Sequence, residues 1–302
     1  MKNTYFVFSD VHGEYDALVA ALNEAGYDVN NPRHILASCG DNFDRGPDSM
    51  QVLRLLRRRK DNIWVRGNHE EMLLEAVEKG VDGEFVLFNL LHNGLDATIQ
   101  SFSGVAMPPA LSAQEINQHI DIARDTARSI TGNSLGLILK QLPYYYETKN
   151  YIFVHAGFEP NIDWNASSKD VMLWDIEYSH LPIRTTNKTV IIGHHHAARV
   201  RKNAADHGYE EQPIGVPWYG NHDENRPVRI GNKIAIDPCS NLTKKVNVLV
   251  IEDEPLDVKP EKEETTEGVK LKVGGDLRGY TYSTDVWTTN TWHDTTTTIR
   301  YR

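Results

Sequence analysis

Five short apolar runs in this sequence each stop at a cluster of acidic, amide or imidazole side chains, and that repetition narrows the open folds more than any other feature. The first run covers residues 5–9, and apolar side chains then recur at helical spacing from 15 to a glycine at 26. A second unit has a strand over 34–39, a loop over 40–48 and a helix over 49–60. A third has a strand over 63–66 and a helix from about 69 to 79. Three successive β-loop-α units predict an α/β chain with a parallel or mixed sheet covered by helices. Further strands are expected at 151–154, 189–192, 233–236 and 246–251, the last almost continuously apolar, as in a buried strand.

The clusters are Asp10-Val11-His12, Asp41-Asn42-Phe43-Asp44-Arg45, Asn68-His69-Glu70, His155-Ala156-Gly157 and His194-His195-His196. Ligands in sheet-and-helix folds bind beyond the carboxyl ends of strands, so these clusters are expected to converge. Convergence joins carboxylate and amide oxygens to imidazole nitrogens without thiolates, a donor set suited to Mn, Fe or Zn rather than to an all-oxygen Ca or Mg site. Two such cations sharing a carboxylate bind a phosphoryl group and generate a nucleophile from water.

Between about 80 and 141 the sequence shows no strand and several helical patterns, which reads as a helical insertion divided at Pro108 and Pro109; Ser112 and Glu115 have the form of a capping box. Beyond 252 the composition turns to charge and threonine. Residues 1–252 therefore form the expected catalytic domain, and 253–302 a polar linker followed by small strands or a partly ordered tail.

A formal net charge of -10 argues against broad binding to nucleic acid or anionic membrane. The basic run Arg54, Arg57, Arg58, Arg59 and Lys60 ends a helix, where cations complement the dipole. No apolar run approaches the ~18 residues of a membrane span. The two cysteines, Cys39 and Cys239, are expected as buried reduced thiols in a cytoplasmic protein.

The segments SDVHGEYD, GDNFDRGPDS, GNHEEM, FVHAG and IIGHHHA resemble, in order and rough spacing, the five blocks of the phosphoprotein phosphatase branch of the calcineurin-like metallophosphoesterase superfamily. The likeness covers about residues 4 to 240 and is nearest to small bacterial and bacteriophage Ser/Thr phosphatases. It implies a β-sandwich of two mixed sheets flanked by helices, with a C-terminal appendage. It also implies two divalent ions, manganese first, with iron, zinc or nickel as alternatives. Asp10 and His12 would ligate one, Asp41 would bridge, and Asn68, His155 and His194 would complete the other. His196 is an open further ligand, whereas His195 would point the opposite way. Arg45 and Asn68 would hold the substrate phosphate, and His69, oriented by Asp44, would protonate the leaving oxygen.

Ile176 stands where the family carries a second phosphate-binding arginine, with Arg184 as the candidate substitute. Glu70 and Glu71 read as helix-capping acids, and Asp237 as a turn residue or a support behind the ligands.

The function so implied is hydrolysis of a phosphomonoester by a hydroxide bridging two metals, without a phosphoenzyme, on phosphoserine or phosphothreonine in proteins. Hydrolysis of a dinucleoside polyphosphate or phosphodiester uses the same ligands and is the alternative. A non-catalytic metal-dependent binding module is an alternative of another class, against which the retention of His69 and Arg45 speaks.

Overall fold

The computed structural model describes residues 1–107, 112–256 and four short strands between 282 and 297. Pro108 and Pro109 lie outside the described residues. The chain divides into two units, Met1–Leu256 and Asp257–Arg302.

The first unit opens with three β-α repeats: β1 (Asn3–Phe8), α1 (Tyr15–Glu24), β2 (His34–Ser38), α2 (Ser49–Arg57), β3 (Ile63–Trp64) and α3 (Asn68–Lys79). Four helices follow, α4 (Val86–His92), α5 (Leu95–Ser103), α6 (Ala113–Thr131) and α7 (Leu135–Lys140). Between Gly80 and Lys140 the described residues contain no strand. Ser112 caps α6 reciprocally: its Oγ accepts the Glu115 N–H, and the Glu115 carboxylate accepts the Ser112 N–H at 2.8 Å.

The second half contributes β4 (Tyr145–Glu147), β5 (Tyr151–Val154), α8 (Lys169–Trp174), β6 (Thr189–Ile192), α9 (Ala197–Asp206), β7 (Trp218–Tyr219), β8 (Val228–Ile230), β9 (Lys233–Ala235), α10 (Ser240–Thr243) and β10 (Val248–Asp253).

Two five-stranded mixed sheets result, ordered β3-β2-β1-β10-β7 and β4-β5-β6-β9-β8. Strands β1, β2 and β3 are parallel, as are β5, β6 and β9, while β10, β7, β4 and β8 join antiparallel. Alternation along each strand decides what its two faces bury. On β1, Tyr5 and Val7 meet Phe153, Ile191 and Ile234 of the other sheet, whereas Phe6 and Phe8 pack beneath the helices with Leu18, Leu53 and Leu73. The outer face of the second sheet is covered by Val200 and Ala204 of α9 and Met172 of α8. Three cores, one between the sheets and one on each outer face, thus fix the carboxyl ends of β1, β2, β3, β5 and β6 around one point.

Strand β10 ends at Asp253. Its carboxylate accepts Thr148 Oγ1 at 2.7 Å and both the N–H and Nδ2 of Asn150, tying the two sheets together at that end. Within the second unit, β11 (Tyr282–Ser283) pairs antiparallel with β14 (Thr296–Thr297), and β12 (Val286–Thr288) with β13 (Thr291–His293). No helix among the described residues is long and apolar enough to cross a membrane.

Candidate metal centre

Each polar cluster follows a strand end, and six of the residues concerned sit at left-handed φ: Asp10 at 51°, His12 at 47°, Asp41 at 54°, Asp44 at 69°, Arg45 at 68° and His194 at 65°. That region costs a side chain with a Cβ roughly 1–2 kcal/mol, and such strain gathers where function requires it. Gly67 shows why the turns are tight: a Cβ there would lie 2.2 Å from Asp41 Oδ1. The backbone of the third cluster therefore rests directly against the carboxylate of the second.

Two imidazoles are set by backbone carbonyls. His12 Nδ1 donates to Phe43 O and His155 Nδ1 donates to Cys39 O, both at 2.9 Å, so each ring presents Nε2 inward. Around those nitrogens, Asn68 Oδ1 lies 2.8 Å from His155 Nε2 and 3.1 Å from His194 Nδ1. Asp41 Oδ1 is 3.4 Å from His155 Nε2, and Asp41 Oδ2 is 3.8 Å from His12 Nε2. Ligand atoms of Asp41, His155 and His194 lie within 4.8 Å of one another, as do those of His12, Asp41 and His69. The Asp10 carboxylate accepts the His194 N–H through both oxygens, at 3.1 and 3.0 Å.

Oxygen and imidazole acceptors so close together repel unless a positive charge sits among them. The titration behaviour states the same need. Burial and then Asp237 push Asp10 well above the ordinary carboxylate range. Burial raises Asp237 to about 7, with Asp41 adding to the effect. Burial alone would lower His155, yet Asp41 and Asp10 lift it to about 10, whereas His194 is pushed down to about 3 by burial and by His155. Asp41 is held well below its usual range despite burial, because His155, His69 and His12 surround it. Mixed hard oxygens and imidazoles, with tautomers fixed from behind, fit divalent cations.

Beside this donor set, Arg45 directs Nη1 to His12 Nε2 at 2.9 Å and Nη2 to His69 Nε2 at 3.1 Å. His69 Nδ1 meets Asp44 Oδ2 at 2.7 Å. Burial would lower His69, and Asp41 and Asp44 raise it above the ordinary value.

Two residues, His195 and Arg184, stand apart from the centre. His195 turns to Ser179 Oγ at 2.8 Å. His196 immediately precedes α9 as its N-cap, half-buried, and burial with Arg199 and Arg45 nearby holds its pKa below the ordinary value. Arg184 is exposed, and the neighbouring Ile183 N–H donates to Asn232 Oδ1 at the amino ends of β6 and β9. The centre lies beyond the carboxyl ends of those strands, so the structure does not bring Arg184 to it. Ile176 is 58% exposed, and Trp174 lies edge-on to His194 with ring centroids 6.4 Å apart.

Glu70 does more than cap a helix. Fully buried, it accepts the Gly67, Asp41 and Asn42 N–H groups at 2.8, 2.8 and 2.9 Å, and so binds the second cluster to the third. Only its position three residues after Gly67 was visible in the sequence.

Two back-to-back mixed sheets with a carboxylate-imidazole centre at their strand ends define the architecture of a metal-dependent phosphoesterase. The calcineurin-like phosphoesterase profile matches residues 4–212, and the chain belongs to that family, whose members use divalent metals. It is 45% identical over 86 residues to serine/threonine-protein phosphatase 2 of Escherichia coli (strain K12), covering 27% of this chain and 36% of that protein. A longer match, 27% identical over 205 residues, joins 63% of the chain to 78% of serine/threonine-protein phosphatase 2 of Salmonella typhimurium. The symmetrical bis(5'-nucleosyl)-tetraphosphatase of Wigglesworthia glossinidia brevipalpis is 39% identical over 92 residues, covering 30% of this chain and 33% of that protein. The Escherichia coli and Wigglesworthia matches thus span about a third of those relatives' length.

Proposed function

We propose that the protein is a metal-dependent phosphomonoester hydrolase acting in the cytoplasm on phosphoserine or phosphothreonine in proteins. The observation that carries this reading is Arg45: one guanidinium fork spans from His12 in the donor set to His69 beside it. Asp10, His12 and Asp41 would hold one cation, and Asp41, Asn68, His155 and His194 a second, manganese being the first candidate. When bound, such a pair supplies positive charge to a phosphoryl group and lowers the pKa of water.

The protein's own groups do the rest. Turned from His12 and His69, Arg45 would offer two N–H donors, the geometry that matches two phosphate oxygens, and Asn68 would add its amide. His69 would hold a proton at Nε2 for the departing serine or threonine oxygen once Arg45, which now donates to that nitrogen, turns to the phosphate, while Asp44 accepts from Nδ1 and stabilises the imidazolium. The Cys39 thiol is buried and its pKa is pushed up by that burial, which removes it as a nucleophile; the reading is direct attack by water.

Hydrolysis of a dinucleoside polyphosphate is the second reading, favoured by Ile176 in place of a second phosphate-gripping arginine and by the distance of Arg184 from the centre. The test gives the manganese-loaded protein a phosphoserine peptide, 4-nitrophenyl phosphate and diadenosine tetraphosphate. Turnover of the peptide is expected, and turnover of the tetraphosphate alone sinks the first reading. His69→Asn is expected to lower kcat on the peptide by about 100-fold, with manganese binding by calorimetry unchanged. An unchanged rate removes His69 from the mechanism.

A further inference from the structure

Asp44 and Arg45, consecutive and both in the left-handed region, are held there by the helical insertion. Thr98 of α5, 1% exposed, places its hydroxyl between two atoms of Asp44. Thr98 Oγ1 accepts the Asp44 N–H at 2.7 Å and donates to Asp44 Oδ1 at 2.7 Å, with Ser49 Oγ 3.0 Å away. The Arg45 N–H donates to the carbonyl of Gly94, immediately before α5, at 3.0 Å. Gly94 has φ 76°, and a Cβ there would lie 2.5 Å from Arg45 N, so this approach of backbones requires glycine.

A carboxylate on a single Cβ–Cγ bond rotates freely unless an oxygen is held. With Oδ1 fixed by the Thr98 hydroxyl, Oδ2 is left facing His69 Nδ1. Because that hydroxyl both accepts from the Asp44 backbone and donates to its side chain, backbone strain and carboxylate rotation are set by one atom. A methyl in its place sets neither.

We propose that Thr98 is a positioning residue for proton transfer at His69: it holds Asp44 so that the imidazole stays aligned to donate to the leaving oxygen. The proposal rests on the reading of His69 as general acid. The helical insertion then contributes to the chemistry and not only to the core.

The distinguishing readout is the leaving group. An expelled dinitrophenolate needs no proton, whereas a phenolate or serine alkoxide does, so misalignment of the acid is felt mainly by poor leaving groups. We would measure kcat for manganese-loaded wild type, Thr98→Val, Thr98→Ser and His69→Asn on phenyl phosphate, 4-nitrophenyl phosphate and 2,4-dinitrophenyl phosphate, with melting curves alongside. Thr98→Val is expected to lose about 10-fold on phenyl phosphate and under about 3-fold on the dinitrophenyl ester, with Thr98→Ser restored to within about 3-fold of wild type on both, in keeping with loss of one hydrogen bond to a charged group. Thr98→Ala replaces the valine variant if that does not fold. An equal loss on all three esters, or a serine variant no better than valine, overturns the proposal when His69→Asn itself shows the leaving-group dependence. If His69→Asn falls equally on all three, the general-acid reading fails and Thr98 loses its role with it.

Discussion

Glu70 keeps a carboxylate where water does not reach, surrounded by backbone N–H groups from two loops. Burial, with Asp41 nearby, raises its pKa, while the N–H donors oppose that shift. An amide in its place would turn one NH2 group towards those donors and strand at least one of them. Leaving a buried donor unpaired costs about 1–3 kcal/mol, and in a unit this large each kcal/mol moves Tm by about 2–4 °C. Glu70→Gln is therefore expected to melt about 4–8 °C lower in calorimetry and to bind manganese more weakly, because the Asp41 loop loses its strut. A variant that melts with wild type would show that the strut adds nothing. The sequence displays the donors Asp10, His12, Asp41, Asn68, His155 and His194 plainly, since each follows an apolar run. Glu70 and Thr98 are less visible, because their importance lies in contacts reaching 28 and 54 residues along the chain.

At the scale of elements, β9 carries an unexpected charge. Lys233 is 1% exposed and donates through Nζ to Tyr178 O at 2.8 Å. Burial lowers its pKa to about 8, only partly opposed by Asp175. A lysine depressed in the folded state destabilises the fold while both states hold the proton, and the penalty fades as pH rises from the folded value towards the unfolded value near 10.4. Stability should thus rise between pH 8 and 10, by on the order of 1 kcal/mol or more from this residue. Lys233→Met, which keeps the chain length and removes the charge, is expected to flatten that rise in urea melts; an equally steep rise in the variant would assign it to other groups. The strands that lead to the centre, β1, β2, β5 and β6, were legible because burial on both faces makes them apolar. Strands β4, β7 and β8 were not. They are two or three residues long and pair antiparallel, too short for a period-2 pattern to stand out. Arg184, an open candidate from the sequence, lies near the amino ends of β6 and β9, because sequence shows which strand a loop joins but not at which end a side chain will lie.

The first unit converges on a centre whose donors come from both of its sheets. Asp10, His12, Asp41 and Asn68 come from loops of the first sheet, and His155 and His194 from the second. A cation held by both sets crosslinks the sheets, so manganese should stabilise the entire first unit by mass action: about 2.7 kcal/mol at a hundredfold excess over Kd. Without a cation, protons serve the same electrostatic purpose. His155, lifted to about 10 by Asp41 and Asp10, carries one at pH 7, and burial raises the Asp237 carboxyl well above the ordinary carboxylate range. A cation reaching His155 Nε2 must displace that proton. Calorimetric titration of metal-free protein with manganese at pH 7, in two buffers of different ionisation enthalpy, is expected to show release of about one proton or more per protein. Affinity should correspondingly rise with pH up to about 10, since fewer protons remain to be displaced. Binding with no proton release would mean that the cation does not reach His155, and the second ligand set would have to be redrawn without it.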